Sequence, residues 1–119
     1  MRITQRQLAA LQAGQPVPMT EAAFQCAVLD LAKLRGWLSA HFRPARTAKG
    51  WRTAVSGDGA GFPDMVLVRG DRLLFLELKS DDGRLRAEQK VWRDRLLAAG
   101  AEWYCLRPRD WARVVELLR

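Results

Sequence analysis

Residues 61–79 read GFPDMVLVRGDRLLFLELK, two apolar runs of strand length around Arg-Gly-Asp-Arg, with Asp64, Glu77 and Lys79 set among the hydrocarbon. Gly-Asp is a two-residue hairpin signal, glycine suiting the first position of a type II′ turn. With Gly70 and Asp71 as the loop, Arg69 faces Arg72 and the residue numbers of every further pair sum to 141, so Asp64 faces Glu77. Directly opposed residues of an antiparallel pair have Cβ atoms about 4.5–5.5 Å apart on one face. Two ionised carboxylates about 5 Å apart, at an effective dielectric of about 20, repel by about 3 kcal/mol. A divalent cation reverses the sign, because one hard ion accepts an oxygen from each; Mg²⁺ commonly takes one or two carboxylates and keeps several waters. Lys79 follows Glu77 by two positions, and strand alternation then puts its ammonium on the same face. Such a set suits metal-assisted phosphodiester hydrolysis: the ion acidifies water and polarises the phosphoryl group, while the lysine orients the attacking water or offsets charge growing on the phosphate.

Both runs, MVLV and LLFL, are apolar on successive positions, the pattern of central strands covered above and below. Working outward, Thr20 can cap a helix through EAAFQCAVLDLAKLRG, with Met19 and Phe24 as a hydrophobic staple, Glu21 near the positive end of the dipole and Gly36 as the stop. WLSAHF reads as a strand and SGDGAG as a loop whose ending lacks the Lys-Ser/Thr of a phosphate-cradling turn. After the hairpin, a helix starting between residues 84 and 87 carries Leu85, Trp92, Leu96 and Ala99 on one face, with Gln89 on the same stripe, and ends at Gly100. EWYCLRP is a short strand, and Asp110 can cap a last helix with Trp111, Val114, Val115 and Leu118 on its inner face. The expected fold is a small α/β domain, a mixed β-sheet flanked by helices on both faces, over residues 20–119, with residues 1–19 an appendage.

The chain of 119 residues is 49% apolar, enough for one core, and carries 20 Lys plus Arg against 13 Asp plus Glu, for a net charge of +7. Sixteen of those cations are arginine, whose planar fork matches phosphate oxygens in pairs, so the balance favours nucleic acid as the partner. Six cations fall between Lys33 and Arg52 (Lys33, Arg35, Arg43, Arg46, Lys49, Arg52) with no acid between Asp30 and Asp58, and Trp37 and Trp51 are interleaved with them. Cys26 and Cys105 read as buried, reduced core residues, and His41 is the only histidine, which leaves zinc sites and histidine-based nucleases without ligands. No N-terminal apolar run reaches signal or membrane-span length, so a cytosolic protein is expected.

GFPD, with Glu77-Leu78-Lys79 beginning 13 residues after Asp64, is similar to the core of PD-(D/E)XK nucleases. Glu21 in the preceding helix and Glu88-Gln89 in the following one resemble, more particularly, the virus-type replication-repair nuclease (VRR-NUC) branch, related to Holliday-junction resolvases, over about residues 20–115. The resemblance implies that Asp64 and Glu77 bind Mg²⁺ or Mn²⁺ with the main-chain carbonyl of Leu78, that Lys79 serves the nucleophile, and that Glu21 and Gln89 complete the catalytic set. It also implies branched or structured DNA as substrate, in replication or repair, and a homodimer. Arg86 departs from the pattern, standing where relatives tend to carry a Ser or Thr helix cap. Arg43, Arg46, Lys49, Arg52 and Arg84 are the candidate phosphate contacts. The rival readings are a non-cutting nucleic-acid-binding module on the same fold and an RNA-cleaving nuclease.

Overall fold

A computed structural model describes residues 5–6, 19–43, 45–52 and 55–119, with the backbone alone at 45–47 and 51–52. Apart from Gln5, Arg6 and Met19, the expected appendage at 1–19 lies outside the described residues. Helix α1 (Glu21–Leu34) starts as its sequence dictates: the Thr20 hydroxyl accepts the Ala23 N–H at 3.1 Å, and Met19 packs against the core. It stops at Gly36, whose φ of +80° lets the Trp37 N–H reach back to the Ala32 carbonyl at 2.9 Å.

Strands β1 (Leu38–His41), β4 (Met65–Arg69), β5 (Arg72–Leu78) and β6 (Glu102–Leu106) form one sheet in the order β1-β4-β5-β6. The first two pairings are antiparallel and β5 with β6 is parallel, joined across by helix α2 (Ala87–Ala98). Between β1 and β4 the basic segment folds into a separate two-stranded ribbon, β2 (Ala45–Thr47) and β3 (Gly50–Arg52), which no pattern in the sequence announced. The hairpin register is the expected one, Arg69 opposite Arg72 through to Met65 opposite Leu76. Gly70 has φ of +61° and among the described residues no non-glycine residue, Asp71 included, has positive φ, which is the type II′ turn and not I′.

One face of the sheet builds the core: Met65 and Leu67 of β4 and Leu74, Leu76 and Leu78 of β5 pack against Phe24, Val28 and Ala32 of α1. Trp111, Val114 and Leu118 of α3 (Trp111–Leu118) join them on the same side. Helix α2 covers the other face only at the Glu77 end, where Gln89 touches Glu77 and Trp92 packs on Phe62. Val68 and Leu73, at the turn end of that face, are consequently exposed. The partial cover also corrects the expected inner stripe of α2: Leu85, Trp92 and Leu96 are half-buried, Ala99 is exposed, and the one buried residue of the helix is Gln89.

Asp110 does not cap α3 through its side chain; its carboxylate accepts the Arg107 N–H at 2.8 Å and closes a 3₁₀ turn, Pro108–Asp110, ahead of the helix. Cys26 and Cys105 are half-buried free thiols, Cys105 on β6 at the end of the sheet order and 3.1 Å from the Arg107 guanidinium, which donates to its sulfur. Trp37 is no nucleic-acid contact: it is 5% exposed, donates its indole N–H to the Leu118 carbonyl at 3.0 Å and is covered by the Arg69 guanidinium at 4.4 Å. Arg69 and Arg72 donate to the carbonyls of Leu118 and Leu117, so indole and guanidinium groups serve the unpaired end of α3.

Candidate active site

The β4–β5 hairpin puts both acids at the mouth of the sheet. Asp64 is the residue before β4 and continues its register opposite Glu77, and its Oδ2 accepts the Leu78 N–H at 2.8 Å. The Asp64 charge acts directly on the Glu77 carboxyl. Both line a cleft of about 1040 Å³, together with Glu21, Leu78, Lys79, Arg43, Arg84, Arg86 and Gln89.

Glu77 is only 1% exposed. Burial first, and then the neighbouring Asp64 charge, push its carboxyl up to about 9 from an ordinary value of 4.5. Its Oε1 accepts the Gln89 amide N–H at 3.1 Å, while its Oε2 is buried without a hydrogen-bond partner. Gln89 is held in turn: its Oε1 accepts the Arg86 N–H at 2.8 Å, the reaching-back half of a capping box at the start of α2. One amide therefore caps a helix with its oxygen and orients Glu77 with its nitrogen. This explains how Arg86 can stand at the N-cap without a capping hydroxyl.

Glu21 opens α1 beside the same cleft. Its carboxyl is raised by burial first and by Asp64 second, and lowered by Lys79 and by a hydrogen bond from the Ser80 N–H. Lys79 follows the last residue of β5, and its charge opposes the rise at both Glu21 and Glu77. His41 is half-buried with Nε2 shut off from partners, and burial lowers its pKa.

The donor set fits a hard divalent ion. An orphaned, buried carboxylate oxygen on Glu77 faces a second carboxylate, which is unfavourable without a positive charge between them. Leu78 gives its N–H to Asp64, and an extended residue directs N–H and C=O to the same side, so its carbonyl points toward the Asp64 side as well. Among the described residues no group of three or more His, Cys, Asp or Glu side chains could hold an ion. Two carboxylates and a carbonyl leave positions for water, as Mg²⁺ prefers.

A family model, the VRR-NUC domain, matches residues 18–110. The chain belongs to the VRR-NUC family. No curated protein matches it in sequence. Membership implies a nuclease of the PD-(D/E)XK type, and therefore a protein that binds nucleic acid. The VRR-NUC chain brings Glu21, Asp64, Glu77, Leu78, Lys79 and Gln89 together around one cleft, with Arg43 and Arg84 at its edge. Lys49 lies in the turn of the β2–β3 ribbon, Arg46 and Arg52 lie on its strands, and the side chains of these two are outside the described residues. Among the described residues no helix is long and apolar enough to cross a membrane. Arg86 and Phe42 are among the cleft residues that sequence reasoning did not place there. Arg86 was visible as the odd cation at the helix start, whereas Phe42 had no signal, because its place depends on pairing between distant strands.

The raised Glu77 pKa has a measurable consequence. Since the folded state holds the proton and the unfolded state releases it at ordinary pH, the stability from this group is full below 4.5 and is lost as pH rises through about 9. Melting temperatures in EDTA should therefore fall between pH 6 and pH 9 more steeply for the wild type than for Glu77→Gln. Parallel slopes would mean that Glu77 does not titrate there.

Proposed function

We propose that this VRR-NUC domain is a Mg²⁺- or Mn²⁺-dependent endonuclease of the cytoplasm that hydrolyses phosphodiester bonds in branched or otherwise structured DNA, in replication or repair. The observation that carries it is the buried Glu77 carboxylate, one oxygen fixed by Gln89 and the other unpaired beside Asp64 at the base of a cation-edged cleft.

A bound divalent ion supplies Lewis acidity toward the phosphate and lowers the pKa of water. The chain's own residues do the rest. Asp64, fixed by the Leu78 N–H, and Glu77, fixed by Gln89, present oxygens in a preset arrangement that needs no reorganisation at the moment of reaction. Lys79 donates a hydrogen bond to the attacking water or to a phosphate oxygen as charge develops on it. Glu21, near both Asp64 and Lys79, positions the lysine ammonium. Arg43 and Arg84 neutralise flanking phosphates, a contribution that salt weakens.

Lys79→Ala should slow single-turnover cutting by about 100-fold or more while metal binding persists. Turnover near the wild-type rate would remove the lysine from the chemistry. The reading also includes a homodimer, for which β1, unpaired on its outer edge among the described residues and carrying the exposed Leu38, offers a surface. The deciding experiment is a panel of single-stranded, duplex, flap and four-way DNA, with RNA alongside, incubated with and without Mg²⁺. Cutting of the structured DNAs only with metal is expected. Salt-sensitive binding without cutting would instead mark a binding module, and cutting of the RNA alone an RNA nuclease.

A further inference from the structure

The sheet face that carries Asp64 and Glu77 extends the row by one more strand. Pairing of β1 with β4 runs from Leu38 opposite Val68 to His41 opposite Met65, and one step on the Phe42 N–H donates to the Asp64 carbonyl at 2.9 Å. Phe42 thus stands beside Asp64 as Asp64 stands beside Glu77, on one face. The phenylalanine is 41% exposed and lines the cleft. An open aromatic ring next to two carboxylates gains nothing for the fold from its exposed surface.

The ring is also held in place. Its centroid lies 5.5 Å from that of Phe62 at 86°, and Phe62 is itself wedged edge-to-face against Phe75 at 6.1 Å and Trp92 at 4.9 Å. Trp92 is tied by its indole N–H to the Asp58 carbonyl at 2.9 Å. The aromatic group therefore continues into the α2 helix and the 55–64 loop, so Phe42 has a fixed position relative to the acids. Arg43 follows it, and Arg84 and Arg86 line the same cleft. Cations for a backbone and an aromatic face for a base are the two parts of a single-strand binding groove.

We propose that Phe42 is a stacking platform for an unpaired nucleobase of the strand being cut, so that this site takes nucleic acid with at least one splayed nucleotide next to the scissile phosphate. The proposal rests on the nuclease reading above and narrows its substrate. With strands about 4.8 Å apart, Phe42 lies about 10 Å across the sheet from Glu77, the reach of a base from a phosphate near the acids. Inside a duplex that base's faces are covered by its neighbours. Stacking on Phe42 therefore requires a flap, a junction or a single strand.

The test uses the full chain in EDTA, with anisotropy titrations of one labelled single strand and its blunt duplex at low salt. Phe42→Leu keeps an apolar contact for Phe62 without an aromatic face, and Phe42→Trp restores one. The leucine variant should bind the single strand about tenfold more weakly and the duplex within about twofold of wild type, with tryptophan recovering the loss. A single strand carrying 5-iodouracil should photocross-link to wild type at Phe42, read by peptide mass spectrometry. Unchanged single-strand binding in Phe42→Leu overturns the proposal, as does an equal loss for both substrates. If the leucine variant melts far below wild type, the cross-link decides, and attachment elsewhere overturns the platform. Wild type that neither binds nor cuts any nucleic acid refutes the nuclease reading itself; wild type that cuts while Phe42→Leu binds normally refutes the platform alone.

Discussion

Glu77→Gln should give a protein that melts higher than wild type in metal-free buffer and does not cut. In the wild type one Glu77 oxygen accepts from Gln89 and the other is buried, partnerless and beside Asp64. A glutamine keeps the acceptor toward Gln89 and turns an amide N–H toward Asp64, a contact that needs no proton held against its ordinary release. The gain should be about 1–3 kcal/mol near neutral pH, since it satisfies a buried group and removes the cost of keeping Glu77 protonated. The same change removes a divalent-ion ligand, and cutting should fall by about three orders of magnitude or more. Asp64→Ala and Glu77→Ala should likewise abolish cutting while sparing nucleic-acid binding in EDTA. Cutting at the wild-type rate by any of the three would remove the mechanism. A Glu77→Gln protein less stable than wild type would show that the acid pair is comfortable without an ion.

The second large effect comes from a residue of the same cleft that carries no side chain. Gly61 has φ of +85°, and a Cβ built there would lie 2.5 Å from the Glu88 carbonyl carbon, 2.6 Å from its oxygen and 2.8 Å from the Gln89 nitrogen. All three are backbone atoms of the first turn of α2, so no side chain can swing away. Gly61→Ala should cost about 2–4 kcal/mol, combining a left-handed backbone for a residue with a Cβ and a displaced helix. Because Gln89 sits on that turn and holds Glu77, the shift should reach the acids, and a displacement of about 1 Å can slow chemistry about 100-fold. Gly57 is the control: its φ is +63° with nothing within 4 Å of an added Cβ, so Gly57→Ala should cost about 1 kcal/mol and leave cutting intact. Equal urea midpoints for the two variants would show that the Gly61 contact does not constrain α2.

The parts that were legible in the chain are those set by local chemistry. Gly70-Asp71 admits one tight turn, and that turn fixes the register that pairs Asp64 with Glu77. Thr20 and Gly36 bound α1 for equally local reasons. Gln89 was recognisable as a polar residue on an otherwise apolar stripe, and it is the buried residue of α2. What escaped depends on distant pairing. Phe42 joins the acid row only because β1 lies against β4, and Trp37 is withdrawn from the basic surface because α3 returns its last carbonyl to the indole. The double use of the Gln89 amide, toward Arg86 and Glu77, needs three segments in place at once. The β2–β3 ribbon gave no signal because its strands, Ala-Arg-Thr and Gly-Trp-Arg, are too short to show alternation.

The most direct test of the paired acids is calorimetric titration of Mn²⁺ into the wild type and Asp64→Ala at pH 7.5, in buffers of different ionisation enthalpy. The account predicts saturable binding to the wild type with net proton release, since Glu77 must give up its proton to ligate, and loss of that binding in the variant. Undiminished Mn²⁺ binding by Asp64→Ala, or no saturable binding by the wild type, would contradict it.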